Sequence, residues 1–199
     1  MKKINAKSLI FLIIISLAIP VFASKDNRNS VGAGIGYGAH FGKETEIDSV
    51  SSASQKVEDK DFFDNTVDIS LYSDLSIINF KTSSLGLRTG LDISFPSVYY
   101  NLQVMPQYKI FFNNINLWFA TGLTFQYIDT IDDQLHISFA TSLGIDFKVK
   151  ENIYLGFTLD MNMVNFKGVE YEETINNEKH KRTRRYDNAI LKLNLSYTF

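Results

Sequence analysis

Apolar and polar residues alternate with a period of two along most of the chain. In the last segment Ala189, Leu191, Leu193, Leu195, Tyr197 and Phe199 share one face, and Ile190, Lys192, Asn194, Ser196 and Thr198 share the other. Successive side chains of a β-strand point to opposite faces of its sheet. The pattern therefore predicts strands rather than helices.

Eight segments follow this pattern. They cover residues 31–41, 67–77, 85–93, 98–110, 115–127, 135–149, 153–161 and 189–199. One face of each segment is mainly apolar, and the other carries glycines, amides, hydroxyls and charges. Each segment is long enough to cross a bilayer as a tilted strand.

The connections between these segments differ in length on the two sides. Short turns are predicted at about residues 79–82, 113–114 and 150–152, and shorter connections at residues 96–97 and 129–134. Long, charged loops are predicted at about residues 42–62 and 167–186. If the first strand rises from the periplasm, every tight turn is periplasmic and both long loops are outside, as in bacterial outer-membrane barrels.

An apolar face that points outward requires a closed sheet. In lipid every backbone polar group must be satisfied internally, so a sheet can span only without a free edge. We therefore predict an all-β, eight-stranded antiparallel up-and-down transmembrane β-barrel. A periplasmic lipocalin-like barrel with its apolar face inside is the alternative, because the sequence shows two faces but not which one points out.

The N-terminal residues predict export. Lys2, Lys3 and Lys7 precede an uncharged apolar run from Leu9 to Ile19, which is followed by Pro20 and the small-residue site at Ala23. This order is typical of a secretory signal peptide, and the run is too short for a spanning helix. We expect residues 1–23 to be cleaved after about Ala23, which leaves one barrel domain at 24–199. The chain has no cysteine, which excludes disulfides. Its net charge of −2 does not favour nucleic acid.

The C-terminal residues carry a family resemblance. Leu195-Ser196-Tyr197-Thr198-Phe199, with its final Phe, resembles the C-terminal signal of bacterial outer-membrane barrels. Residues 31–199 are similar in architecture to the small OmpA/OmpX-type and opacity-type barrels. The resemblance implies location in the bacterial outer membrane, contact with its lipids and lipopolysaccharide-type glycolipid, and recognition of Tyr197 and Phe199 by the barrel assembly machinery. It carries no functional residues across.

Pro106 departs from the pattern because it lies in the middle of the fourth segment. Proline cannot donate a hydrogen bond to a neighbouring strand. We expect a bulge there or a local break in pairing.

Two sequence patterns suggest cofactor binding or catalysis, but we predict neither activity from them. Gly34, Gly36, Gly38 and Ala39 match a relaxed dinucleotide fingerprint, but that motif works only between a strand and a helix. His136 and Ser138 share a face near Asp132 and Asp133, so a nucleophile and base are conceivable, but no third partner is fixed. We predict no enzymatic activity, no cofactor and no metal site.

The polar face carries charges of both signs. They are Asp68, Arg88, Asp92, Lys109, Asp146, Lys148, Asp160 and Lys192. Eight strands enclose a space that side chains can fill, and buried charges need partners. We therefore predict an ion-pair network that plugs the lumen, and a narrow channel remains the alternative.

The last loop has an acidic arm and a basic arm. The acidic residues are Glu170, Glu172, Glu173 and Glu178, and the basic cluster is Lys179, Lys181, Arg182, Arg184 and Arg185. The arms could pair as a hairpin beyond the membrane, or the cluster could bind lipid phosphates or an extracellular polyanion. The first loop is acidic and rich in serine.

These features favour a monomeric, non-enzymatic surface protein that presents two long loops for envelope integrity, adhesion or host contact. The alternatives are a narrow channel for small solutes, a lipid-modifying outer-membrane enzyme and the periplasmic binder.

Overall fold

Nine β-strands make up the computed structural model, which describes residues 28–48, 57–96, 99–128, 132–165, 169–175 and 178–199. The strands are β1 (Ser30–Asp48), β2 (Val57–Asn79), β3 (Ser83–Phe95), β4 (Tyr99–Phe111), β5 (Ile115–Ile128), β6 (Asp132–Lys150), β7 (Ile153–Asn165), β8 (Val169–Ile175) and β9 (Glu178–Thr198). Within these ranges no helix is long and apolar enough to cross a membrane. The predicted signal peptide lies outside the described residues.

Eight of the strands close into a barrel. Each of β1 to β6 pairs antiparallel with the next strand, and β7 pairs with β9. The barrel closes because β1 also pairs with β9, from Ser30 opposite Thr198 to Asp48 opposite His180. The predicted eight-stranded, all-antiparallel barrel is confirmed. β8 pairs only with β9 among the described strands and lies beyond the barrel wall.

The apolar face points outward. In β9 Leu191, Leu193 and Leu195 are exposed, whereas Lys192 and Asn194 are buried in the lumen. The same division holds along β1 to β7, where most of the exposed large side chains are Ile, Leu, Phe, Tyr and Val, and the buried set is mainly polar or charged. This is the reverse of a soluble barrel with an apolar interior, and the outward assignment of the apolar face is confirmed.

Several inward-facing glycines make room for bulky lumen side chains. A Cβ at Gly32 would overlap the ring of Tyr72, and one at Gly144 would overlap the indole of Trp118. The wall is therefore bare where the largest interior rings lie against it.

Pro106 causes the predicted break without a bulge. β4 pairs with β3 continuously, with Leu87 opposite Pro106. On the other side the β4–β5 pairing stops after Val104 and resumes at Gln107 in the same register. The ladder therefore loses the pairs at Met105 and Pro106 and keeps its alignment. Gly122 lies against this break, where a Cβ would approach the carbonyl oxygen of Val104 to 2.6 Å.

Three barrel strands continue well beyond the wall and form, with β8, a sheet that we call the extension. Its strands are β1 from residue 43, β2 from 57 to 61, β9 from 178 to 185, and β8, in the order β2-β1-β9-β8. Much of the two segments expected to be loops, residues 42–62 and 167–186, is therefore strand. Hydrophobic alternation could not reveal these parts because they carry few apolar residues on either face.

Candidate functional site

The two ends of the lumen are defined by the connections. The turn end is where 80–82, 112–114 and 151–152 join the strands, and the loop end is the opposite one. Near the turn end the buried carboxylate of Asp74 collects three donors. It accepts hydrogen bonds from Arg88 Nη1 at 2.9 Å, Lys109 Nζ at 2.8 Å and Ser30 Oγ at 3.0 Å. Two buried cations share this one carboxylate.

Arg88 also lies between two aromatic rings. Its guanidinium carbon is 3.9 Å from the ring centroid of Tyr72 and 4.0 Å from that of Trp118. A cation over an aromatic face is attracted by the ring quadrupole, more strongly where water is excluded. We call Tyr72, Asp74, Arg88, Lys109 and Trp118 the seal, because together they fill the turn-side lumen.

An apolar cluster lies beside the seal. It consists of Met105, Ala120 and Ala140 together with Trp118, all 0–5% exposed. A buried thioether and two methyl groups offer water no strong hydrogen-bond partner. Side chains therefore fill this part of the lumen.

A second ion-pair group lies closer to the loop end. Lys192 Nζ is 2.5 Å from Asp92 Oδ1 and 2.5 Å from Asp160 Oδ2. The other oxygen of Asp92 accepts hydrogen bonds from Gln103 Nε2 at 2.5 Å and Asn101 Nδ2 at 3.4 Å. One ammonium thus joins β9 to β3 and β7 across the lumen.

Asp68 is fully buried in the loop-side lumen. Its carboxylate accepts hydrogen bonds from the hydroxyls of Thr66, at 3.0 Å, and Ser94. The imidazole of His40 is also buried and meets the ring of Tyr99 edge to face, with centroids 5.0 Å apart.

The predicted lumen charges can now be placed. Seven of the eight are buried inside the barrel: Asp68, Arg88, Asp92, Lys109, Asp146, Asp160 and Lys192. The structure differs from the prediction at Lys148, whose side chain is exposed because β6 there approaches its turn. The prediction also omitted Asp74, which holds two of the cations. Asp74 shares the polar phase of β2 with Asp68, Ser70 and Tyr72, so the alternation could have identified it.

Among the described residues, the structure does not form the dinucleotide-binding loop or a catalytic pair at Ser138. Gly34, Gly36 and Gly38 lie inside β1, so a strand-to-helix dinucleotide loop is not formed there. Ser138 Oγ is hydrogen-bonded to Thr124 Oγ1 at 2.6 Å. The side chain of His136 lies outside the described residues, so its pairing with Ser138 remains an untested hypothesis.

The basic cluster lies in the β9 part of the extension. The register sets Arg184 opposite Glu44 and Arg182 opposite Glu46. On its other edge, β9 places Lys181 opposite Glu172. Arg185 instead lies opposite Lys43, and Lys179 lies opposite Thr174. Acidic positions therefore flank three of the five residues of the cluster: Lys181, Arg182 and Arg184.

The predicted assembly-signal residues lie at the barrel seam. Tyr197 is opposite Val31 of β1 and Ile153 of β7. The amide of Phe199 donates a hydrogen bond to the carbonyl oxygen of Asn29 at 3.1 Å. Recognition of these residues by assembly machinery remains a prediction.

No protein-family model matches the sequence, and no curated protein matches it. Solved structures do share its fold. The outer membrane protein OprG from Pseudomonas aeruginosa aligns with a TM-score of 0.59 and 12% identity, over 86% of this chain and 95% of that chain. Neisserial surface protein A aligns with a TM-score of 0.47 and 8% identity, over 86% and 97%. The outer membrane protein AlkL aligns with a TM-score of 0.47 and 12% identity, over 89% and 93%.

Identities this low concern the fold and not the activity, because one fold can host many functions. The apolar outer face, the charged interior and the similarity to the fold of OprG all indicate the same architecture. The chain is a closed eight-stranded antiparallel β-barrel with the architecture of small bacterial outer-membrane proteins.

Proposed function

We propose that this protein is a non-enzymatic surface protein of the bacterial outer membrane, whose sealed barrel presents the extension to the outside. Its role is structural or adhesive, in envelope integrity, adhesion or contact with a host. The observation that carries the proposal is that β1 keeps strand partners on both edges up to residue 47, well beyond the membrane-facing part.

The outer face supports membrane placement. Ile35, Leu71 and Leu193 are 58%, 45% and 42% exposed. Water would oppose so much exposed apolar surface, whereas lipid accepts it. Exposed aromatic side chains towards the strand ends, such as Phe41, Phe95, Tyr108 and Tyr197, suit the two interfaces of a bilayer.

The extension supports a role at the surface. Short turns face one side of the barrel, and the extension lies on the other, which in bacterial barrels is the outside. A paired sheet holds its charged residues in a fixed register, unlike a loose loop. Such a surface suits recognition of a partner.

The seal and the apolar cluster beside it oppose the channel alternative. The side chains of Met105, Trp118 and Arg88 are all at most 5% exposed and occupy the turn-side lumen. A conducting path would require continuous water through this layer. We therefore expect no stable conductance from the native barrel.

The absence of cysteine permits a clean test of placement and orientation. Single cysteines would replace Asp61, an exposed residue of the extension, and Asn113, an exposed residue at a turn. On intact cells a membrane-impermeant maleimide should label Asp61→Cys and reach Asn113→Cys only after the outer membrane is permeabilised. Labelling of Asn113→Cys alone on intact cells would reverse the orientation, and recovery of both variants in the soluble periplasm would overturn membrane placement.

Planar-bilayer recording separates the surface protein from the channel. The purified native barrel should give no discrete conductance steps. Arg88→Ala removes the guanidinium between the two rings, so this variant should show conductance steps. Regular steps from the native barrel would favour the narrow channel. Unchanged outer-membrane lipid composition in a deletion strain would argue against the lipid-modifying enzyme.

Contact with anionic lipid phosphates is a second candidate, supported by the register at Arg185. Lys43 lies opposite Asp61 of β2, whereas Arg185 has only the like charge of Lys43 opposite it on β1. Like charges directly opposite on paired strands are destabilising, and an anion such as a phosphate would relieve them. The positions follow Phe41 of β1 and precede Asp187 of β9, near the outer end of the barrel. Retention of the detergent-solubilised barrel on heparin and on immobilised lipopolysaccharide separates a polyanion from a lipid ligand. Arg185→Ala should weaken retention more than Arg184→Ala, because Arg184 faces Glu44.

A further inference from the structure

The two halves of the lumen differ in charge balance. Near the turn end, two described buried carboxylates, Asp74 and Asp146, are matched by two cations, Arg88 and Lys109. Towards the loop end, three carboxylates, Asp68, Asp92 and Asp160, are matched by the single ammonium of Lys192. With His40 neutral, the described side chains of the loop-side half carry a formal charge of −2 (three negative, one positive), and those of the turn-side half carry zero.

The atoms that lack a hydrogen-bond partner follow the same division. In the loop-side half they are the oxygens of Asn101, Gln126, Asp160 and Asn162, together with His40 Nε2. In the turn-side half they are two N–H donors, Gln107 Nε2 and Trp118 Nε1. The oxygens of Ser70 and Asn194 lie together against Gly34, between the two halves. Four of the six unsatisfied oxygens therefore lie where negative charge is in excess.

Three of these oxygens belong to one row across the sheet. Register sets Ser70 opposite Asp92, Asp92 opposite Asn101, and Asn101 opposite Gln126. All four residues are at most 4% exposed. Since Asn101 donates its amide hydrogen to Asp92, its amide oxygen must point away from that carboxylate. Asn101 and Gln126, directly opposite each other, thus place two unpartnered amide oxygens on the strands next to Asp92.

We propose that the loop-side half of the lumen binds an alkali-metal cation, Na⁺ or K⁺, with water completing its coordination. The amide oxygens of Asn101 and Gln126 supply neutral ligands, and the excess carboxylate charge, including Asp68, supplies the field. A buried carboxylate needs a cationic partner, and Asp68 accepts hydrogen bonds only from two hydroxyls among the described residues.

The ligand set indicates the class of cation. Hydroxyl, amide and carboxylate oxygens suit hard cations. No group of three or more acidic, histidine or cysteine residues suited to a metal ion occurs among the described residues. A site made mainly of neutral oxygens resembles the chemistry that coordinates monovalent cations. The seal closes the turn end, so the ion enters from the loop end.

Thermal unfolding of the full barrel in detergent micelles tests the proposal. Melting would be followed by circular dichroism in NaCl, KCl and choline chloride at equal ionic strength. Choline screens charge equally but is too large for the site. Sodium or potassium should raise the melting temperature over choline by about 2–4 °C, with a saturable dependence on concentration.

Single substitutions test which residues the stabilisation by alkali cations depends on. Asp68→Asn and Asn101→Leu should each abolish the difference between alkali chloride and choline chloride. Asp146→Asn is the matched control, because it removes a similarly buried carboxylate from the turn-side half, and it should retain the difference. Equal melting of the native barrel in all three salts, or loss of the difference in Asp146→Asn alone, would overturn the proposal.

A measurement on the native protein covers the case in which the variants do not fold. Crystals soaked in thallium(I), a heavy substitute for K⁺, should show an anomalous scattering peak beside the amide oxygen of Asn101. Ordinary ordered water at that place without thallium would mean that water alone satisfies the row. Stabilisation by Ca²⁺ but not by Na⁺ or K⁺ would also overturn the assignment.

Discussion

The same strands are held together differently in the barrel and in the extension. In the barrel, β1 and β9 present Ile35 and Leu193 to lipid and enclose Lys192 and Asn194 within the lumen. In the extension, they instead align Glu44 with Arg184 and Glu46 with Arg182. The pairing pattern is continuous, but the side chains that accompany it change completely.

This difference separates two sources of stability. Inside the barrel, charges are removed from water and depend on fixed partners, so breaking one pair leaves an uncompensated ion. Where strands meet water, opposite charges on neighbouring strands contribute little each, because water and salt screen them. Perturbations of the barrel should therefore affect the whole fold, and perturbations of the extension should remain local.

Removing the carboxylate at the centre of the seal should have the largest effect. Asp74→Ala leaves Arg88 and Lys109 buried without their shared partner, which should lower the free energy of unfolding by about 3–5 kcal/mol. Urea unfolding in lipid vesicles, followed by the fluorescence of the single tryptophan, measures the loss. Asp61→Ala, at an exposed position of the extension, is the control and should change stability by less than about 0.5 kcal/mol. Similar losses in both variants would remove the distinction between the two regions.

Filling the space beside Trp118 should have an intermediate effect. A methyl group added by Gly144→Ala overlaps the indole and should cost about 1–3 kcal/mol, the usual range for overpacking. At Gly90 the nearest atom to an added Cβ is 3.5 Å away, which is an ordinary contact. Gly90→Ala is therefore the matched control and should be nearly neutral in the same unfolding assay. Equal effects of both changes would show that Trp118 is not packed against the wall.

Reversing a charge in the extension should have the smallest effect. Arg184→Glu places two acids opposite each other and should destabilise the extension by about 0.2–1 kcal/mol, with less effect at high salt. The double variant Glu44→Arg with Arg184→Glu should recover only part of the loss, because position 44 also lies opposite Lys60 of β2. Limited proteolysis of the extension measures the change, while the urea midpoint of the barrel should not move. A shift of that midpoint would mean that the two regions unfold together.

Much of the fold was predictable because burial imposes a period of two. Alternation such as Leu191-Lys192-Leu193-Asn194 identified both the strand and its faces, and Pro106 identified the interruption between β4 and β5. Most of the extension was not visible as strand. The opposite charges of the last loop suggested that its two arms could pair, as β8 and β9 do. Stretches such as residues 178–185 of β9, however, carry no apolar side chain and so lack the signal that marks the barrel strands.

The lumen was predictable in composition but not in connection. The alternation placed charged residues such as Arg88 and Lys192 on the polar face. The sequence could not show that Lys192 contacts both Asp92 and Asp160 across the barrel. That contact depends on how far the strands are staggered when the barrel closes. Lys148 shows the converse, since phase alone cannot distinguish the lumen from the exposed end of a strand.

The seam between β1 and β9 sets the order in which the barrel can form. β1 is synthesised before the other described strands, yet one of its two partners is β9, which follows all of them along the chain. Until β9 arrives, β1 and β7 each expose an unpaired edge that is prone to pairing with other chains. The cylinder therefore cannot close progressively during synthesis. Closure waits for the last strand, and until then the two open edges need protection from pairing with other chains.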